Sequence, residues 1–251
     1  MTAIQDIYET KNYRNRIPVS QSVTFEVGVR DTSIHVQAQS DLTAKAKESV
    51  FRYRYQIEEY LRQHPAFRDT QSPIQIYSSA PEIVRYCDLA CRNTGVAPMA
   101  CMSGAMADFV GRDLMPQSPV LVVSSGGDTF VKSSTPIDIY VYAKGSPLHN
   151  KLILQLPGAR NIFGVSTYVP GKGIQAVTVL SRTAGWASAF AKDLGSRLDS
   201  GESLKSALNR AEAYSDVGGV VIISGDQVVF GGSLNVRCLN GAKSSNMAAG
   251  G

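Results

Sequence analysis

The sequence predicts an α+β fold, a mixed or antiparallel sheet packed by helices. Three observations predict it. Runs that alternate apolar and polar residues come in pairs joined by short turns, the mark of hairpins. Longer runs with apolar residues three and four apart stand between the pairs, the mark of helices laid on a sheet. The order along the chain is strands, helices, strands, helices, strands, which is not a repeated βαβ winding. With 251 residues, 43% of them hydrophobic, the chain can bury a large core. No linker divides it, so 1–240 is read as a single domain and 241–251 as a flexible tail.

Val23 to Val29 and Ser33 to Ala38 alternate and are joined by Arg30-Asp31-Thr32, a hairpin. Asp41 is placed to cap a helix whose apolar positions are Ala46, Val50, Tyr53, Ile57, Tyr60 and Leu61, and His64-Pro65 stops it. Pro81 to Arg92 reads as a second helix, closed by Asn93-Thr94-Gly95. Residues 98–115 read as a third, opened by Pro98 and rich in small residues that let a backbone or ligand come close. Val120 to Val123 and Thr129 to Lys132 flank the turn Ser124-Ser125-Gly126-Gly127-Asp128, a second hairpin. Further strands are expected at 137–143, 151–156, 162–167 and 175–181, helices at 183–198 and 202–214, and a last hairpin from Val220 to Phe230 around Gly225-Asp226. Residues 243–251 have no apolar period and are read as disordered.

Composition narrows the function. Lys and Arg total 25 against 21 Asp and Glu, a net +4 spread along the chain, which predicts no nucleic-acid partner. No apolar run of about 18 residues occurs and the N-terminus lacks the basic-then-apolar order of a signal peptide. Membrane association is therefore not expected, and the protein is read as cytoplasmic. Cys87, Cys91, Cys101 and Cys238 are too few for a disulfide scaffold and suit a reducing compartment.

Two turns carry the ligand-binding reading. Gly126-Gly127-Asp128 follows an apolar strand, so its bare backbone N–H groups and the Asp128 carboxylate can meet a ligand; the same residues also suit a plain hairpin turn. Gly95-Val96-Ala97-Pro98-Met99-Ala100 leads into a helix start, where unpaired N–H groups can take an anion, or it is only a tight connection. The dinucleotide and Walker phosphate motifs are absent. Cys87 and Cys91 share a helix face, yet His35, His64 and His149 stand alone, so buried thiols explain the cysteines better than a metal does. His149, in the loop Ser146-Pro147-Leu148-His149-Asn150, is the best functional histidine, though a solvated loop residue is the commoner case. Trp186 could stack on an aromatic ligand or anchor the core.

Tyr13-Arg14, Asp31-Thr32-Ser33-Ile34, Gly95-Val96-Ala97-Pro98-Met99-Ala100, Gly126-Gly127-Asp128, Ser146-Pro147-Leu148 and Gly164-Val165-Ser166-Thr167 stand in one order along the chain. On these residues, over roughly 13–235, the chain resembles a divergent member of the ApbE-like family of unknown function, a relative of the FAD:protein FMN transferases. The resemblance implies a T-fold-like ApbE-type domain whose glycine turn and preceding small-residue helix face a cleft. In the transferases that cleft takes FAD, so flavin is the cofactor it suggests. It also implies departures. Ser125 stands where an Asn usually precedes Gly-Gly-Asp, and the histidine of a Gly-His-Ser loop is missing between Thr167 and Ala176. In the late helix, Gly185 and Ala189 replace the Asp and Thr that hold magnesium, and neither can coordinate a hard cation.

The first expectation is therefore a protein that binds a small anionic or nucleotide-like molecule beside the Gly126-Gly127-Asp128 turn, without a magnesium-dependent transferase site. Gly95, Pro98, Met99, Ser103, Gly126, Gly127, Asp128, Thr129, Ser166, Thr167 and Trp186 would line the ligand. The alternatives are a metal-independent enzyme of cofactor or small-molecule metabolism with Asp128 as acid or base and His149 as partner, a flavin transferase, and a non-catalytic partner-binding subunit. A homo-oligomer is a further expectation.

Overall fold

β1 (Val23–Val29) and β2 (Thr32–Ala38) pair in antiparallel register with Val29 opposite Thr32, so the first hairpin turns on Arg30-Asp31 alone. Arg30 takes φ +55° there. The computed structural model describes residues 22–158, 161–171, 173–239 and the backbone of 247–249. Tyr13-Arg14 and residues 240–246 and 250–251 lie outside the described residues.

α1 (Thr43–Gln63) follows. It starts one residue later than an Asp41 cap would place it, because the Asp41 carboxylate accepts from the Thr43 N–H at 2.9 Å and turns the chain before the helix begins. Pro65 ends α1 and opens a short helix that the spacing did not foresee, α2 (Pro65–Asp69). α3 (Glu82–Thr94) ends on Gly95, whose φ of +78° is the left-handed closure expected of it. The expected helix over 98–115 is two pieces, a 3-10 turn (Pro98–Cys101) and then α4 (Met102–Leu114).

β3 (Leu121–Ser125) and β4 (Asp128–Ser133) form the second hairpin, with Ser125 opposite Asp128 and only Gly126-Gly127 between. β5 (Ile137–Tyr140), β6 (Leu152–Leu156), β7 (Asn161–Tyr168) and β8 (Ile174–Ser181) come next, then α5 (Ala184–Asp199) and α6 (Leu204–Glu212). β9 (Val217–Ser224) and β10 (Gln227–Gly232) form the last expected hairpin. β11 (Asn235–Cys238) and β12 (Met247–Ala249) were not foreseen, and β12 lies within the stretch read as a tail.

The described strands make a nine-stranded sheet ordered β1-β2-β3-β4-β7-β8-β9-β10-β12 and a three-stranded sheet ordered β11-β6-β5. Every pairing is antiparallel except β10 with β12. Strand periodicity then divides the core. Val123 and Phe130 point to the helices α1, α3 and α4, while Val122 and Val131 point to the small sheet and meet Ile139 and Leu154. α5 and α6 cover β8 and β9 through Val177, Val179, Phe190, Leu194 and Ile222. Among the described residues no helix is long and apolar enough to cross a membrane.

Candidate functional site

On the helix face of the large sheet, the period of two puts Asp128 beside Phe130. α4 crosses this point closely, since a Cβ on Gly111 would stand 2.5 Å from the Phe130 ring. That approach brings Ser103, in the first turn of α4, over the β3–β4 turn. Its hydroxyl donates to Asp128 Oδ2. Ser188, from α5, donates to the same oxygen at 3.0 Å and also lies 3.1 Å from the Ala100 carbonyl. Asp128 is thus buried, only 4% exposed, and holds three separate elements together.

Above this array lies an open cleft of about 790 Å3. Its floor is Ser103 with Ser125, Gly126 and Gly127; Met99, Met102 and Met106 line one side, and α1 contributes Ile57 and Leu61. The polar end is built by Asp31, Thr32 and Ser33 of the first hairpin with Arg54, Glu58 and Arg68. Arg54 is the centre of that end. It donates to Glu58 at 2.7 Å and to Thr32 and Asp31. The Arg54 guanidinium holds the Asp31 carboxyl below its ordinary value. Arg68 is exposed, and no ion pair to it is seen among the described residues.

The glycines fit the floor for different reasons. Gly126 takes φ +58°, and a Cβ there would meet only Ser103, at 3.7 Å. Gly127 has an ordinary φ, but a Cβ would stand 2.6 Å from the Thr167 carbonyl oxygen. One is needed for the turn and the other for a close backbone passage.

The expected residues divide into those the cleft gathers and those it does not. Met99, Ser103, Gly126 and Gly127 line it, with Asp128 directly beneath Ser103. Pro98 is buried at the start of the 3-10 turn, and Gly95 closes α3. Ser166 pairs with Asp128 across β4 and β7 and is buried. Thr129 and Thr167 point to the other face of the sheet, bonding Ser124 at 3.0 Å and Thr178 at 2.9 Å. Trp186 packs 5.7 Å from the Phe190 ring and is not among the cleft residues. His149 sits between β5 and β6, where Nδ1 accepts from the Ala143 N–H at 3.2 Å and the ring stands edge-on to Tyr142. The geometry does not bring it to the cleft.

Sequence reasoning missed the wall made by α1. Arg54, Ile57, Glu58 and Leu61 recur at helical spacing, which was the available signal, but the pattern reads as a core stripe. Asp31-Thr32-Ser33 reads as part of the first hairpin, with nothing local to assign it to the cleft.

The helix-covered antiparallel sheet is shared with solved ApbE flavin transferases. The fold is similar to the apo flavinyl transferase ApbE of Pseudomonas stutzeri (TM-score 0.58, 12% identity, covering 85% of this chain and 94% of that one). It is also similar to a variant of the flavin transferase ApbE from Vibrio cholerae (TM-score 0.55, 12% identity, 88% and 98%). The chain belongs to the family described as AbpE bacteria, whose model matches residues 14–228. Among its relatives are the UPF0280 protein MK0206 of Methanopyrus kandleri, 28% identical over 83% of this chain and 90% of the relative. The UPF0280 protein of Methanocella arvoryzae is 28% identical over 84% and 89%.

Proposed function

We propose that the cleft over the Gly126-Gly127 turn binds a small anionic, nucleotide-like molecule. The observation that carries this reading is the meeting of a bare glycine turn, Ser103, Ser125 and three methionines with Arg54 and Arg68 in one cleft of about 790 Å3. A pocket of that kind combines an apolar bed for a flat ring with a few polar groups that fix orientation. Asp31 is 84% exposed, so its pair with Arg54 is screened and a ligand anion can take its place. The structural neighbours are flavin transferases, which makes flavin nucleotides the first ligands to try.

The acid–base reading runs through Ser103, because Asp128 is buried behind that hydroxyl and meets a ligand only by way of it. Calorimetric titration with FMN, FAD and ADP tests the binding, together with native mass spectrometry of protein from its own host. Saturable binding that Arg54→Ala weakens supports the proposal. No binding and no retained small molecule would leave a partner-binding subunit as the better reading. AMP released from FAD in the presence of magnesium would return the protein to the transferases.

A further inference from the structure

α5 begins where the resemblance places a magnesium site, and its residues do not suit the ion. Gly185 and Ala189 offer no donor atom, whereas a hard cation takes oxygen ligands. The room for a donor is also taken, since a Cβ on Gly185 would stand 2.4 Å from the Tyr86 ring. Ala189 is fully buried in the helix-side core. The first N–H groups of α5 are already engaged: Ala184 donates to Asp108 Oδ1 at 2.9 Å and Gly185 to Asp108 Oδ2 at 2.8 Å. Tyr86 donates to Asp108 Oδ2 at 2.7 Å and lies 2.5 Å from Thr183 Oγ1, which in turn accepts from the Trp186 N–H at 3.4 Å. Asp108 is 1% exposed. Among the described residues no group of three or more His, Cys, Asp and Glu side chains is placed to hold a metal.

We infer that Asp108 does the work of a cation-bridged joint without the cation: its buried carboxylate closes the N-terminus of α5, and this positions Ser188 to hold Asp128 and Ser103 beneath the cleft. The chain of contacts is short. Asp108 lies on α4, as does Ser103, so one helix carries both ends of it. Ser188 follows Ala184 by four residues, which puts it on the same face of α5 one turn further on. A carboxylate at a helix N-terminus also meets the positive end of the helix dipole. Asp108 is therefore a positioning residue, and the arrangement under the cleft needs no divalent ion. The clamp does not depend on what the cleft binds.

Melting of the full-length protein in excess EDTA and in millimolar magnesium chloride reads the first half. An equal midpoint is the expected result, because an ion that binds only the folded state would raise it; a magnesium-dependent rise would overturn the inference. Gly185→Asp puts a carboxylate back at the helix start. It should lower the midpoint and confer no magnesium response, and a magnesium-dependent recovery would count against the clamp. Residue-resolved amide exchange reads the second half. In Asp108→Asn the Ala184 and Gly185 amides should exchange about tenfold faster or more, with Ser188, Gly126 and Gly127 following, while the β8–β9 amides keep their protection. In Tyr86→Phe the Ala184 and Gly185 amides should stay protected, since the carboxylate remains. Acceleration spread evenly along the chain in Asp108→Asn, or none at Ala184 and Gly185, would remove the positioning role.

Discussion

Gly164 and Thr183 meet backbone to backbone: a Cβ on Gly164 would stand 1.8 Å from the Thr183 carbonyl carbon and 2.1 Å from the Ala184 nitrogen. β7 therefore runs directly under the start of α5, and both sides of the contact are main chain that cannot rotate away. Gly164→Ala should cost about 3 kcal/mol or more in a urea titration, at the top of the range for overpacking.

The two floor glycines should respond in an order that backbone angle alone would reverse. Gly126→Ala keeps a left-handed residue and open space, so about 1 kcal/mol is expected. Gly127→Ala drives a methyl against the Thr167 carbonyl, so about 3 kcal/mol is expected. Chemical denaturation of both variants side by side checks the ranking.

Ser188→Ala removes a hydroxyl that, like Ser103, donates to Asp128 and leaves the buried carboxylate with one donor fewer. A loss of about 2 kcal/mol follows, as for other bonds to charged groups. Because Ser103 shares Asp128 with Ser188 and forms part of the cleft floor, the variant should also weaken any ligand bound over the floor, read by calorimetry.

Arg54→Ala should lower affinity for an anionic probe such as FMN by about tenfold, the scale of a charge-assisted contact. Its stability cost should be smaller, about 1 kcal/mol, because Asp31 and Glu58 are partly solvated partners. Affinity and melting measured on one preparation separate the two effects.

Burial pushes the Asp108 carboxyl above its ordinary value, against the bonds from Gly185, Tyr86 and Ala184. A group raised in the folded state adds its stability below its unfolded value, about pH 3.9, and loses it as pH rises through the folded value. The stability advantage of wild type over Asp108→Asn should therefore shrink as pH increases from about 4. Asp31, Asp41 and Glu59 are held low by hydrogen bonds from Arg54, Thr43 and Arg62 and act in the opposite sense. They are present in both proteins and cancel. Paired urea titrations across pH test the sign.

Hairpins and long helices were legible in the sequence because their signals are local. The turns at 30–31, 126–127 and 225–226 each sit between apolar or alternating runs, and Gly95 closes α3 for a reason visible in one residue. β11 was missed because Asn235–Cys238 pairs with β6, some eighty residues earlier, and has no hairpin partner nearby. The site was half legible. Gly126, Gly127 and Ser103 announce close approach by their size, whereas Arg54 and Asp108 act across the chain from inside helices whose patterns show only a core face. His149 drew notice as an isolated histidine, and its bonds to Ala143 and Asn150 show a loop that fastens its own backbone.

The cleft has one rigid surface and one replaceable surface. Its floor is main chain and serine, with Gly127 pressed against the Thr167 carbonyl, and a change at Asp128 or its serine partners disturbs β4, α4 and α5 together. Its opposite wall is α1, where Ile57 and Leu61 are packed into the helix-side core and Glu58 is the partly solvated position that can be exchanged without moving a strand. If the cleft binds a ligand as proposed, the polar position on that helix is where its selectivity can be changed while the scaffold stays as it is.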